Sequence, residues 1–473
     1  MAKHKSASKS DQDQSLYDQV YEKCAYINWR ADEIKQAQVD IEILVREIEG
    51  SDQPVPPTTE LPPVTPPPIT DPPDPAVSQL IHKSNLQYVG AFLLPASASS
   101  GASYGFEYAL TGLAYNPQHN SLYVNNHIYE QKTAEVSIPT PGQDFSSLPR
   151  AQYIQPLADL TEGHIASLGS GGSVIADKCQ IGGLLVYGDS IIGTSYIFYD
   201  GGKQAILSHF TSGLRTTDQG DFRGFYQVGN TGAGFVAGFM CSIPPEWQSQ
   251  FAGTSLTGQG CLSIISRTSY GPGAHVFNPA GLTGMTGAAT ASTPLVYYPQ
   301  DHPTLGPWEQ QSYVNDKFNM GTRVNGMVFP TGSRSVLFFG CQGLGIPCYG
   351  DTVAYGGHCT DPTNNDKGCH AAPYRVWCWA YSADELFLVK QGQKSPWDVV
   401  PYEMWSMDLP YESPEGQVQG VAYDPLTQRL YISHVHAEYL LPGANPYAKN
   451  PVIHVFQFTN QSGSLLTLGD EGD

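Results

Sequence analysis

Positive charge is scarce in this sequence. Lys and Arg number 24 against 44 Asp and Glu, a formal net charge of −20, and such a balance repels phosphate backbones and anionic membrane surfaces. Nucleic-acid binding is therefore not expected. Long apolar runs are also lacking. Ala91–Pro95 and Gly183–Tyr187 are among the longest, far below the roughly 20 residues of a membrane span, so membrane insertion is not expected either. The basic start Met1–Ser10 is followed by Asp11–Gln14 where a secretory signal needs an apolar core. A protein of this kind working outside a cell would leave by another route, as part of a particle released by lysis.

Several catalytic patterns are missing as well. There is no Gly-x-Ser-x-Gly nucleophile elbow, and Gly171-Gly-Ser-Val lacks the strand-to-helix frame such an elbow needs. No phosphate-binding Gly-x-x-x-x-Gly-Lys loop occurs. The repeated turns of sialidase-type propellers and the paired Gly-His and Trp-Asp signatures of WD repeats are absent, Trp397-Asp398 being a single dipeptide. What the chain has in quantity is 49 Gly and 37 Pro, which excludes a mainly helical body.

One stretch escapes that rule. From residue 15 to residue 50 there is no Pro, no Gly before Gly50, and a strict seven-residue period: Val20, Ile27, Ile34, Ile41 and Ile48, each preceded three residues earlier by Tyr17, Cys24, Ala31, Gln38 or Val45. These are the d and a positions of a coiled coil. Ser15 is placed to cap it and Gly50 to stop it. Ile at every d favours more than two strands, and Gln38 at an a position fixes register, so a parallel homotrimer is expected. A lone amphipathic helix is the competing reading. Residues 51–83 form a linker whose first part is dense in proline, as in Pro66-Pro-Pro-Ile-Thr-Asp-Pro-Pro-Asp-Pro75. Such a chain prefers an extended conformation of ~3.1 Å per residue. Residues 1–14 read as a basic tail and 461–473 as an acidic one.

Between residues 84 and 460 the sequence turns to short β-prone runs separated by turn residues. Gly112-Leu-Ala-Tyr-Asn-Pro-Gln-His-Asn-Ser-Leu-Tyr-Val124 reappears as Gly420-Val-Ala-Tyr-Asp-Pro-Leu-Thr-Gln-Arg-Leu-Tyr-Ile432, a strand, a turn opened by Asn/Asp-Pro, and a second strand. Weaker copies start at Gly326, at Gly182 and near Gly224. Leu86–Leu94 and Val452–Phe458 are strands without local partners, and pairing them would close a ring and remove two exposed edges. The expected fold class is mainly β, a β-propeller-like head with five blades expected and six the alternative. A β-sandwich with long insertions is the alternative.

Candidate sites are less definite. His434, His436 and Glu438 alternate and would share one face of a strand, the donor set of a divalent metal; no cofactor is otherwise expected. Of nine cysteines, Cys341–Cys348, Cys359–Cys369 and Cys241–Cys261 are the candidate disulfide pairs, which leaves an odd number. Aromatic loops at Tyr297, Tyr298 and Trp308, and at Tyr349 and Tyr355 in the cysteine-rich stretch, are candidates for binding a sugar or a protein. Asp200, Asp218, Asp221, Asp301, Asp316 and Glu415 are scattered carboxylates that leave a glycosidase open.

An oligomerising helix, an extended stalk and a β-rich head together resemble a virion appendage of a tailed bacteriophage, a tail or head fibre. That resemblance implies a trimer held at its N-terminal end by other virion structural proteins, made in the host cytoplasm, carried on the particle surface, and attached to a host glycan or protein through the head. The competing classes are a propeller glycoside hydrolase or lyase and a bacterial surface module for protein interaction.

Overall fold

The computed structural model describes residues 79–168, 179–299, 317–365 and 367–460. The expected coiled-coil seam, residues 51–78 of the proline-rich linker, Trp308 and both tails lie outside the described residues. Five of the six sheets among the described residues stand around a ring, the sixth being a small hairpin of Cys348–Gly350 and Gly368–His370. Blade 1 holds Leu113–Asn116, Ser121–Asn125, Thr133–Ser137 and Tyr153–Ala158, in that order from the axis outward. Blade 2 follows with Cys179–Tyr187, Ser190–Ile197, Leu207–Gly213 and Arg223–Val228, to which Ala289–Thr290 adds a short parallel strand. Blade 3 is Met240–Ser242, Ser255–Gly258, Ala274–Phe277 and Ser292–Val296, and blade 4 is Arg323–Val328, Ser335–Gly343, Tyr374–Ser382 and Glu403–Ser406. Blade 5 takes Val418–Asp424, Arg429–His434 and Val452–Phe458 from the end of the chain and its outermost strand, Leu86–Leu93, from the beginning. The five-bladed propeller is thus closed by the pairing the two unpartnered strands implied, and the sandwich alternative falls.

The repeated sequence forms the inner hairpins of blades 1 and 5, and its turn chemistry is the same in both. Asn116 and Asp424 are buried and each accepts from the backbone N–H two residues on, at Gln118 (3.1 Å) and Leu426 (2.9 Å). Tyr115 and Tyr423 each donate across the turn, to Asn120 and Gln428, residues held at φ 49° and 56°. Side-chain-to-backbone bonds of this kind open a tight turn. The copies at Gly182 and Gly326 fall within the inner strands of blades 2 and 4. The copy near Gly224 does not begin a blade: Arg223–Val228 is the outer strand of blade 2, and the hairpin of blade 3 is Met240–Ser242 with Ser255–Gly258. A short helix, α1 (Pro245–Phe251), fills the turn between them.

Glycines within the inner strands let the blades meet. A Cβ on Gly182 would lie 1.9 Å from the Ala237 carbonyl oxygen, and one on Gly183 2.5 Å from that of Gly238. Side chains then tie each blade to the next. Asn325 donates to Val418 O (2.9 Å), Gln419 to Gly112 O and Asn125 O (3.3 and 3.0 Å), Thr111 to Ile181 O (2.5 Å) and Thr194 to Gly238 O (2.7 Å). Between blades 3 and 4 the link is aromatic: Trp247 of α1 packs on Phe329 at 5.7 Å and donates its indole N–H to Ser333 O, and Phe251 meets Phe387 of a second helix, α2 (Ala383–Lys390).

Strand direction defines two faces. All five inner strands start on one, called the upper face, and end on the lower. Gln79 pairs with Ser333 in the first turn of blade 4, and its side chain donates to Thr459 O just after the last strand. Both ends of the described head therefore lie on the lower face, where the axial channel widens into a cavity of about 320 Å³ lined by Leu185, Met240, Met327 and Val421, with no charged residue among its walls.

Candidate functional site at the upper mouth of the ring

Ionisable and exposed aromatic side chains collect on the upper face over blades 4, 5 and 1. The second strand of blade 5 ends at His434, and two residues later His436 stands at φ 53°, a backbone state that side chains rarely adopt. Its Nδ1 lies 2.8 Å from Glu415 Oε2. Its Nε2 is buried and has no hydrogen-bond partner among the described residues. The ring of Tyr108, itself at φ 54°, stands edge-on to His436 at 4.9 Å. Tyr108 also meets His127 at 5.5 Å, and His127 is packed between Tyr104 (4.3 Å) and Tyr129 (4.9 Å).

This arc is rigidly held. Glu130 accepts from the backbone N–H groups of Ser103 and Tyr104, from Asn126 Nδ2 and from Lys132 Nζ. Burial pushes its carboxyl up, but these bonds outweigh it and hold the group below the usual carboxylate value. Two loops that carry the tyrosines are thereby pinned to one anion. Tyr104 and Tyr108 are half exposed and Tyr129 is 83% exposed, so ring faces are presented to solvent rather than spent in the core. Burial lowers the pKa of His127 against the pull of Glu107 and Glu130, and its Nδ1 accepts from Tyr129 N–H at 3.1 Å.

Chemically, a carboxylate on Nδ1 fixes the tautomer of an imidazole and leaves the Nε2 lone pair as an acceptor or base. Beside flat aromatic rings it suits a ligand with hydroxyl groups and apolar faces.

Several sequence expectations are corrected. His434, His436 and Glu438 do not share a strand face, because the strand stops at His434 and Glu438 opens a 3-10 turn. No set of three ligand atoms forms there within 4.8 Å among the described residues. His434 accepts from Ser413 N–H, and burial drives its pKa down to about 3; Glu438 pairs with Arg150 at 2.6 Å. The disulfide is Cys348–Cys359, pairing the two inner members of the expected bridges. Cys369 stands opposite Tyr349 across a small hairpin, while Thr352 bridges to Cys359 and brings that cysteine to Cys348. Cys241, Cys261, Cys341 and Cys369 are free. His358 lies beside the disulfide, close enough to make a three-ligand group with the two sulfurs.

Among the aromatic candidates, Tyr298 is fully buried and bonded to Tyr381 and Val399 O, and Tyr297 packs on Phe235 and Trp397. Tyr298 is thus a packing residue, while Tyr297 keeps part of its ring exposed. Tyr349 is half-buried in the small hairpin, and Tyr355, 68% exposed, stands on the upper-face loop of blade 4. The arc around His127 was not anticipated. Its signal lay in the repeat itself: continued a few residues past Val124 and Ile432, the two copies reach His127 and His436 in equivalent loops of adjacent blades.

No protein-family model matches the chain, and no curated protein does. Among solved structures, a hydrazine synthase chain from Kuenenia stuttgartiensis matches with a TM-score of 0.30 and 8% identity, covering 76% of this chain and 90% of that one. A likeness at that level says nothing of activity.

Proposed function

We propose that this chain is an attachment protein, an oligomeric fibre or spike of a virion whose propeller head binds a host-surface glycan or protein at the upper mouth. The observation that carries the reading is the opposition of the two faces: both ends of the described head lie on the lower face, and the exposed Tyr104, Tyr108 and Tyr129 lie on the upper one. A head supplied with chain from below presents that surface outward. The heptad period of residues 15–50 supports a trimer, and several heads displayed together raise weak binding through effective concentration.

Light scattering on the full-length chain tests the oligomer: a mass of about 154 kDa, three times 51.3 kDa, is expected, and a monomer removes the fibre reading. The Glu415–His436 pair, with its Nε2 unpartnered among the described residues, favours one second reading, a polysaccharide-degrading enzyme. Release of reducing sugar by the full-length chain, lost in His436→Gln, would establish it.

A further inference from the structure

In the upper-face loop of blade 4, three ligand atoms lie within 4.8 Å of one another: the sulfurs of Cys348 and Cys359 and a ring nitrogen of His358. The two sulfurs are bonded to each other, with Cα atoms 5.7 Å apart. His358 is exposed, and its imidazole makes no hydrogen bond to another described residue.

Backbone bonds fix this arrangement without help from the disulfide. Cys348–Gly350 pairs with Gly368–His370, and the loop that follows is folded back on itself. Val353 N–H donates to Cys359 O (2.9 Å), Gly357 N–H to Thr352 O (2.9 Å), and the N–H groups of His358 and Cys359 both donate to Asp351 O (3.0 and 3.1 Å). Thr352 Oγ1 ties the loop to Asn365 O at 3.1 Å. The imidazole lies against Gly350, which stands at φ 145°. A Cβ there would come 2.9 Å from His358 Cε1, so glycine leaves the space the ring occupies.

Two thiolates and an imidazole are donors that suit zinc, whereas Ca²⁺ and Mg²⁺ favour oxygen. The ligand atoms of a tetrahedral zinc lie roughly 3.5–3.8 Å from one another, inside the 4.8 Å spread of these three. Once the sulfur–sulfur bond is cut, rotation about the two Cα–Cβ bonds separates the sulfurs to that spacing.

We propose that Cys348, Cys359 and His358 form a zinc site in the reduced chain, where the ion replaces the disulfide as the clamp of the loop. A dithiol reductant supplies two electrons and two protons to the sulfur–sulfur bond and leaves as its own disulfide. Zn²⁺ then displaces the two thiol protons to solvent and binds both thiolates and the neutral imidazole. Exposure of His358 leaves the fourth position to water. A disulfide oxidant, taking back the two electrons, re-forms the bridge and releases the ion. The loop is thereby held in a reducing compartment, where a disulfide does not persist, as well as in an oxidising one. The site does not depend on the attachment reading.

The test uses the metal-free full-length chain, either oxidised or reduced with a phosphine, which leaves as its oxide with the oxygen of water. Each form is titrated with Co²⁺ as a spectroscopic stand-in and then with Zn²⁺. The reduced chain should take up one Co²⁺ with thiolate-to-cobalt charge-transfer absorption that Zn²⁺ abolishes, and the oxidised chain none. His358→Ala alters an exposed side chain and should weaken Co²⁺ binding about tenfold or more. Cys348→Ser with Cys359→Ser should remove the charge-transfer band. Reduction alone should open residues 348–359 to protease, and Zn²⁺ should close them again. Equal uptake by the oxidised chain, no uptake by the reduced one, unchanged affinity in His358→Ala, or a band that survives the double serine change overturns the site. Should the double variant fail to fold, the protease experiment on the wild-type chain decides: a reduced loop that Zn²⁺ does not protect overturns it.

Discussion

Glu135 shows how much a single side chain in this ring is asked to do. It is fully buried in the third strand of blade 1, and its carboxylate accepts from Asn116 (2.8 Å), Gln155 (2.6 Å), Ser121 and His119. Burial favours the neutral acid, but the four bonds together win and hold the pKa below the usual 4.5. A depressed carboxylate stabilises the fold above its unfolded value and loses that contribution as pH falls. Glu135→Gln should therefore cost about 2–3 kcal/mol at pH 7 and distinctly less at pH 3.5, measured by urea unfolding at both. At this scale the sequence was only partly readable. Tyr115 and Asn120, or Asp424 and Leu426, were visible as turn chemistry because their partners are a few residues away. His434, His436 and Glu438 were misplaced because alternation holds only while a strand continues, and no local signal marks its end at His434.

Elements were more legible than sites. Four of the five inner hairpins were marked by a glycine at or just before the first strand. Blade 3 was missed because its inner strand is only Met240–Ser242 and α1 occupies its turn, while Gly224–Val228 imitated a hairpin start. The ties between blades join residues far apart in sequence and carry no local pattern. Gln419 is the densest of them: it donates to three carbonyls of blade 1 and accepts from Ser433. Gln419→Ala should cost about 2–3 kcal/mol, read as a shifted denaturation midpoint with an unchanged slope. The Cys348–Cys359 bridge acts locally instead. It closes a short loop on the upper face, worth roughly 2–3 kcal/mol to that loop. Cys348→Ser with Cys359→Ser should expose residues 348–359 to protease and leave the thermal transition of the head nearly unmoved. The pairing itself was hidden, since spacing alone ranks the neighbouring pairs equally.

The head as a whole carries a built-in sensitivity to acid. His209, His275, His434 and His454 are buried and uncharged, with pKa values driven down by burial to about 3, about 4, about 3 and well below 6.5. In each the unfolded chain binds a proton that the folded one refuses, so stability is complete above pH 6.5 and falls steadily below it. The melting temperature should drop between pH 6.5 and 4, against a flat plateau from 7 to 8. Ring closure makes a second whole-molecule prediction. A chain starting at Leu94 lacks the outermost strand of blade 5, leaves Val452–Phe458 as an open edge, and should aggregate where the full chain stays soluble. Ring closure was legible because two strands had no neighbour in sequence to pair with. The weight of tyrosine in the composition misled, since Tyr298, Tyr381 and Tyr431 fill the spaces between strands and blades, and burial of a ring leaves no mark in sequence.

The central claim is that the upper mouth is the binding surface, and the most direct measurement is attachment of the full-length chain to an array of host-type glycans, compared with a Tyr104→Ala, Tyr108→Gly, Tyr129→Ala triple variant. Glycine at 108 keeps the φ of 54° that position requires. The account predicts retained melting temperature and at least a tenfold loss of binding in the variant. Binding that survives the triple change intact would contradict it and move the contact surface elsewhere on the head.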